Sequence, residues 1–306
     1  MPPALLDSID WPLQALYQAI EPRLPGFTCE VLPTVDSTNA ELMRRFKNGQ
    51  TGPTVLVAEQ QTAGRGRLGR QWRSARGDSL TFSIGMLLSP AAWSGLSLAV
   101  GVSLAESLDP ANRATHRIAL KWPNDLWLVH SFSDGAAGTE QKLAGVLIET
   151  AAWEGARYVV IGVGINIRAI SLEDIANGHL AIVPPGHLQQ LQPQLDAPGA
   201  LLQVLSPLVQ AVQAFSNSGF EPFRERFAKR DVLANRDVTM SDGSEGKAQG
   251  VSADGGLLVH TASGMQVVDS AEISVRPASA ACLSFASTSR IKTSAAKFVA
   301  NEDVSA

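Results

Sequence analysis

The stretch 59–72, EQQTAGRGRLGRQW, limits what this chain can fold into more than any other. Three glycines (Gly64, Gly66, Gly69) alternate with three arginines (Arg65, Arg67, Arg70), directly after the apolar run 54–58. Such a stretch cannot fill a core. Glycine allows close backbone approaches that a Cβ forbids. Arginine presents planar, permanently charged donors suited to carboxylate and phosphate oxygens. A solvated surface loop would explain one Gly-Arg pair. Three in register, flanked by Gln60, Gln61 and Trp72, favour an anion-binding loop.

The same glycines spell G-x-G-x-x-G, the dinucleotide fingerprint. That fingerprint needs a helix directly after it and an acidic residue roughly 20 positions on. Here the sequence from Arg70 to Asp78 is no helix start, Ser79–Leu88 reads as another strand, and positions 85–90 hold no acid. A kinase glycine loop fails too, because no V-A-I-K, H-R-D or D-F-G follows.

The remaining pattern predicts an α+β fold. Helices are expected at 11–20, at 38–46 behind a capping box from Thr38 to Glu41, and at 93–108, 201–215 and 221–229. Strands are expected at 28–32, 54–59, 79–88, 116–122, 126–129, 141–150 and 156–166. In 79–88, Leu80, Phe82, Ile84 and Met86 share one face, with Thr81, Ser83 and Gly85 on the other. Residues 167–198, rich in Pro, Gln and His, read as a surface excursion. Five short β-runs (236–240, 245–252, 256–261, 265–269, 271–275) separated by tight-turn pairs predict a small antiparallel barrel. The expected organisation is a mixed-sheet catalytic domain with covering helices over 1–234, of which 1–30 is an extension. The barrel follows at 235–277 and a disordered tail at 278–306.

With 306 residues, 45% apolar and 18% charged, the chain has ordinary globular composition, and its net charge of −4 argues against broad nucleic-acid binding. Cys29 and Cys282 have no CxxC or histidine context, which speaks against a zinc site or a disulfide scaffold. The acidic N-terminal residues without an apolar segment do not read as a signal peptide, and no uninterrupted apolar run approaches the ~18 residues of a membrane span. A cytoplasmic protein is the expectation.

Four further segments look chemical. Ser37-Thr38-Asn39 is explained by helix capping, although a helix start can also receive a carboxylate. In KWPND, 121–125, Asp125 could take Mg²⁺ beside nucleotide phosphates, while Pro-Asn-Asp is good turn chemistry, and the segment taken alone favours the turn. KLAGVLIE, 142–149, sets Lys142 at the head of an apolar strand with Gly145 inside it. Lys142 either steadies developing negative charge or snorkels at a strand end. An interior strand glycine marks close approach of a ligand or backbone, and Gly162 and Gly164 in IGVGIN repeat the signal. No Ser/His/Asp nucleophile, paired carboxylates or HExxH competes. The inventory points to a nucleotide-using ligase or transferase that neutralises and positions anions without a covalent protein intermediate.

These segments together resemble the biotin protein ligases. DSTN at 36–39, the arginine loop at 59–72, LKWPNDLWL at 120–128, KLAGVLIE at 142–149 and IGVGINI at 161–167 occur in that family's order, and 236–276 is similar to its C-terminal SH3-like domain. The resemblance implies attack of the biotin carboxylate on the α-phosphate of ATP, with Mg²⁺, to give biotinyl-5′-AMP. Transfer to a lysine of the biotin carboxyl carrier protein of acetyl-CoA carboxylase follows. It implies that Ser37, Thr38, Asn39, Gln61, Gly64, Arg65, Gly66, Arg67, Lys142, Gly145, Leu147 and Gly162 bind biotin and its adenylate. Arg67 and Lys142 would act catalytically. Trp72, Asn124, Asp125 and Asn166 would serve ATP, with Asp125 also meeting Mg²⁺. A lipoate- or octanoate-protein ligase shares the fold and is the alternative. About 35 residues before DSTN leave no room for the winged helix of the repressor branch, so no DNA partner and no membrane are expected; a homodimer is compatible.

Overall fold

Alternation in Ser79–Leu88 predicts one apolar and one polar face, and the strand's neighbours obey the same rule. The computed structural model describes residues 9–113, 116–131, 138–169, 183–269 and 275–277. Seven strands form a mixed sheet: β1 (Thr28–Val35), β2 (Thr54–Gln61), β3 (Ser79–Leu88), β4 (His116–Lys121), β5 (Asp125–His130), β6 (Thr139–Trp153) and β7 (Ala156–Asn166). Their order is β1-β2-β3-β7-β6-β5-β4. β1 and β2 run parallel and every other neighbour is antiparallel. β6 and β7 are a long hairpin, and β3 lies along the full length of β7, from Ser79 opposite Asn166 to Leu88 opposite Arg157.

One face carries Phe82, Ile84, Ile161, Val163, Ile165 and Val146, all buried with α3 (Leu96–Leu108) and α4 (Ala197–Ser218) in the main core. α4 is by length and composition apolar enough to cross a membrane. Here its stripe Leu201, Val204, Leu205, Leu208, Val212 and Phe215 is fully buried in that core. α1 (Leu13–Ile20) joins it through Leu16 and Ile20. The second face meets α2 (Thr38–Lys47), whose Leu42 and Phe46 pack with Leu56, Tyr158 and Val160 in a smaller cluster. α5 (Glu221–Ala228) leads to a five-stranded antiparallel sheet of β8 (Asp237–Met240), β9 (Glu245–Val251), β10 (Leu257–Thr261), β11 (Gly264–Val268) and β12 (Val275–Pro277), in the order β11-β10-β9-β8-β12. Among the described residues no pairing closes β11 onto β12. The two sheets touch where Trp122, buried in the main core, donates from Nε1 to the Gly255 carbonyl at 3.1 Å.

Several expectations need correcting. Ser37, in extended conformation, caps α2 and accepts from Ala40 N at 3.4 Å, so Thr38 is freed to be the first helical residue. α3 starts at Leu96 because Gly95, at φ 84°, turns the chain into it. Part of the presumed surface excursion is packed against the sheet. Leu188 is fully buried, and Lys142 N donates to Pro184 O at 2.8 Å while Gly186 N donates back to Lys142 O at 2.9 Å. The fifth small strand is Val275–Pro277; residues 271–274, the loop 132–137, 170–182 and the tail 278–306 lie outside the described residues.

Candidate active site

Cross-strand pairing puts a row of small residues on the second face. Ser83 lies opposite Gly162, and Gly162 opposite Leu147; one step along, Thr81, Gly164 and Gly145 align, ending on Asp125. The vacancies are filled by side chains from outside the sheet. A Cβ on Gly162 would collide with Asn39 Oδ1, and one on Gly164 with the Trp72 indole. The close approach that the strand glycines announce is thus made by the protein's own side chains.

Asn39 is the hub of the first row. Its Nδ2 donates to Glu149 Oε2 at 2.8 Å and to Leu147 O at 3.2 Å, and Ser83 Oγ sits 2.6 Å from both Asn39 Oδ1 and Thr38 Oγ1. Gln61 Oε1 accepts from Thr38 N at 2.8 Å. Ser37, Thr38 and Asn39 are all buried. A polar triplet this enclosed is satisfied by a specific network, as burial demands. Beside it, Arg44 binds Asp36 through two 2.8 Å hydrogen bonds. This pair holds the Asp36 carboxyl down to about 2 and fixes the turn into α2.

The arginine loop closes on itself. Trp72 N donates to Gly64 O at 2.9 Å, Gly66 N to Arg70 O at 2.6 Å, and Arg65 bridges Gln71. A Cβ on Gly64 would strike the Trp72 carbonyl. Leu68 and Gly69 at the tip take left-handed conformations, φ 55° and 71°, and the Leu68 side chain is exposed. At the loop's base, buried Glu59 accepts from Trp11 Nε1 at 3.2 Å and pairs with Arg76 Nε at 2.8 Å. That carboxylate ties both ends of the loop to residues before α1. Arg65 reaches Glu149 at only 3.4 Å while half-exposed, a weak pair that a better anion can replace. Arg67 is half-buried, which lowers its pKa, and the charge of Asp125 works the other way.

The charged end of the face is Lys142 Nζ, 2.7 Å from Asp125 Oδ1, beside Gly145. Lys121, opposite Asp125 on the same face, is buried, and burial pulls it down to about 8. An open cavity of about 650 Å³ lies between residues 65–69 of the loop, Trp93, Ser94, Gly95 and Ser97, and residues 146–150 of β6. That volume suits a small organic ligand. Lys142 and Asp125 are not among its lining residues, whereas Asn124 and Leu147 are.

The structure therefore gathers Ser37, Thr38, Asn39, Gln61, Leu147 and Gly162 in the first row, and Lys142, Gly145 and Asp125 at the end of the second, where Trp72, held by Gly64 of the loop, lies on Gly164. Arg67 lies within electrostatic reach of the second group. The amides of Asn124 and Asn166 also brace the strands. Asn124 Nδ2 donates to Val146 O at 2.8 Å, and Asn166 Nδ2 to Gly186 O at 2.9 Å. Sequence reading passed over Ser83, Glu149 and Lys121. Ser83 and Glu149 become visible only once β3, β7 and β6 are aligned, while Lys121 stood inside a motif without signalling that it is buried.

The sheet face lined with glycine and hydroxyl groups, and the closed arginine loop over it, lie within the residues that match a family of biotin and lipoate ligases. The Biotin/lipoate A/B protein ligase family model matches residues 31–166, and the Biotin protein ligase C terminal domain matches 235–276. The bifunctional ligase/repressor BirA of Escherichia coli is 34% identical over 280 residues, covering 89% of this chain and 81% of that protein. The biotin–[acetyl-CoA-carboxylase] ligase of Paracoccus denitrificans is 29% identical over 252 residues, 79% of this chain and 98% of that one. The Aquifex aeolicus biotin protein ligase, solved in complex with biotin and ATP, superposes with a TM-score of 0.64 at 29% identity, covering 82% of this chain and 99% of that one. This chain belongs to the biotin protein ligase family, and it is an enzyme, a ligase.

Proposed function

We propose that the chain activates biotin with ATP to biotinyl-5′-AMP and passes the biotinyl group to a lysine of the biotin carboxyl carrier protein of acetyl-CoA carboxylase. The observation that carries this reading is the convergence of the arginine loop and the Lys142–Asp125 pair on one glycine-lined face. The Aquifex structure with biotin and ATP, and the name of the Paracoccus relative, support the substrates and the acceptor.

In the first step a biotin carboxylate oxygen attacks the α-phosphorus and pyrophosphate leaves. Anion meets anion, so the barrier demands fixed positive charge where the oxygens crowd. Arg65, Arg67 and Lys142 supply it, and the 3.4 Å pair of Arg65 with Glu149 yields to the incoming carboxylate. The buried polar row of Ser37, Thr38, Asn39 and Gln61 holds the biotin head group, with Gly64, Gly66, Gly145, Leu147 and Gly162 as its walls. Trp72 Nε1 is buried without a partner among the described residues, a donor available to the nucleotide. Asn124 and Asn166 hold the strands that carry it. In the second step the carrier lysine's amine attacks the mixed-anhydride carbonyl and AMP leaves. Arg67, part of the closed loop, retains the adenylate and keeps water from it.

Asp125 fits Mg²⁺ by donor chemistry, one carboxylate of the kind Mg²⁺ takes beside phosphate oxygens and water. No cluster of three or more His, Cys, Asp or Glu gathers among the described residues. The metal would arrive on the nucleotide and offset phosphate charge when bound. Purified protein given ATP, Mg²⁺, labelled biotin and a carrier domain should label a single carrier lysine. An unlabelled carrier, with lipoate accepted instead, overturns the reading.

A further inference from the structure

The arginine loop is zipped from tip to neck, and its outermost rung depends on a residue from none of the motifs. Gly66 N donates to Arg70 O at 2.6 Å and Trp72 N to Gly64 O at 2.9 Å. At the neck, Gln61 N donates to Ser74 Oγ at 2.7 Å. One step further out, Arg76 Nε lies 2.8 Å from Glu59 Oε2, and the Glu59 side chain is only 8% exposed. Its other oxygen accepts at 3.2 Å from the indole N–H of Trp11, 48 residues earlier in the chain. Trp11 is placed independently of the loop. It packs against the main core, and its carbonyl accepts from Leu13 N at 2.7 Å as the chain enters α1. That helix is anchored by Leu16 and Ile20, both fully buried.

A fixed donor aimed at a buried carboxylate has consequences for the neck. An oxygen that loses such a donor carries the full cost of its burial. The Glu59 carboxylate would have to turn to water, and that turn takes it off Arg76. The next rung is then exposed, and its Gln61 is the residue whose Oε1 accepts from Thr38 N at 2.8 Å. A disturbance at Glu59 therefore reaches both the loop and the polar row beneath it. We infer that Trp11 is a positioning residue for the arginine loop: by holding Glu59 on Arg76, its indole N–H keeps the neck shut and sets how long the loop stays closed. The inference rests on the ligase reading for what the loop covers, and it gives the residues before α1 a function. They touch no reacting atom. They govern retention of the adenylate and leave its formation to the residues of the face.

The test uses the full chain, free of ligand, with trypsin as the probe. Arg65, Arg67 and Arg70 are cleavage sites within the loop, and Arg65 and Arg70 are exposed. Where opening and closing are fast, cutting tracks the open population. Trp11→Phe keeps a packed ring and removes only the donor. Cutting after these three arginines, read by mass spectrometry, should speed up about three- to tenfold, the effect of one hydrogen bond. Cutting elsewhere should stay at the wild-type rate. Arg76→Gln breaks the same rung from its other side and should act alike; adding Trp11→Phe to it should bring no further increase. With biotin and ATP present, release of biotinyl-5′-AMP from Trp11→Phe should rise by the same factor, with the adenylation kcat within about twofold of wild type. Wild-type cutting of the loop in both variants, a uniform rise at all sites, additive effects in the double variant, or adenylate release that does not follow the cutting would overturn the inference. A wild-type protein that forms no adenylate overturns the ligase reading instead, and cutting of the loop still reads the hold of Trp11 on the neck by itself.

Discussion

The two faces of β3, β7 and β6 are made by alternate residues of the same strands, yet they are built on opposite rules. Phe82, Ile161, Val163 and Val146 fill their side with large apolar groups against α3 and α4. Ser83, Gly162, Gly164 and Gly145 leave the other side nearly bare, so that Asn39 and Trp72 can lie directly on the backbone. The first face is closed and satisfied. The second carries buried donors with no partner among the described residues, at Trp72 Nε1 and Trp127 Nε1. Stability should therefore be concentrated on one face and activity on the other.

The sharpest way to break that division is Phe82→Ala. It removes a fully buried ring from the helix-covered face and should cost about 3–5 kcal/mol of stability. Folded variant below its midpoint should keep wild-type adenylation kinetics. A large rise in KM would mean that the two faces are not independent. Gly162→Ala attacks the other side. The added methyl meets the Asn39 carboxamide and displaces it, and a shift of about 1 Å at such a site can lower the rate ~100-fold. Denaturation should show a loss of about 1–3 kcal/mol from the disturbed hydrogen bonds of the buried Asn39, with the variant still folded at 25 °C. Inactivity caused by unfolding would place Gly162 with the core.

How much of this division is legible in the sequence depends on range. Alternation within Ser79–Leu88 is local, so both of its faces could be assigned from Leu80–Thr81–Phe82–Ser83 alone. The strand glycines signalled a close approach, but the visitors come from Asn39 and Trp72, more than 90 residues away along the chain in each case. No local pattern encodes that pairing. Capping went to Ser37 for a related reason: Thr38 is held by Gln61 and Ser83, and a tertiary partner outweighed a local preference. Asn124 and Asn166 are assigned to ATP through the family resemblance, which says nothing of the bonds their amides make inside the chain. The neighbouring carbonyls of Val146 and Gly186 that take their amides are visible only in the fold.

The arginine loop sharpens the comparison from outside the sheet. Arg67→Gly removes a half-buried guanidinium of the loop and leaves the strand residues of both faces unchanged in sequence, and each charged hydrogen bond lost is worth about 1.5–3 kcal/mol. Retention of biotinyl-5′-AMP should fall ~10- to 100-fold, with released adenylate labelling lysines of bystander proteins. Mass spectrometry of a mixture of carrier and albumin measures this directly. Labelling confined to the carrier would remove Arg67 from adenylate retention and leave that role to the sheet face.

The smallest effect is the most specific to the unsatisfied face. Lys121 has a pKa near 8 when folded, against an ordinary value of 10.5, and burial is the main cause. Between those two values the folded chain binds fewer protons than the unfolded one, so stability rises with pH across that window. Below pH 8 the buried ammonium weighs fully against the fold; toward pH 10.5 its effect disappears. Ligand-free Lys121→Met should accordingly melt a few degrees above wild type at pH 7. The gap should narrow steadily as both are measured through pH 8 to 10 at fixed ionic strength. A variant less stable than wild type at pH 7 would mean that the ammonium is well satisfied in the free protein. The site face would then be as complete as the helix-covered one. A narrowing gap shows instead that this face is held short of its own best stability, and that what completes it comes from outside the chain.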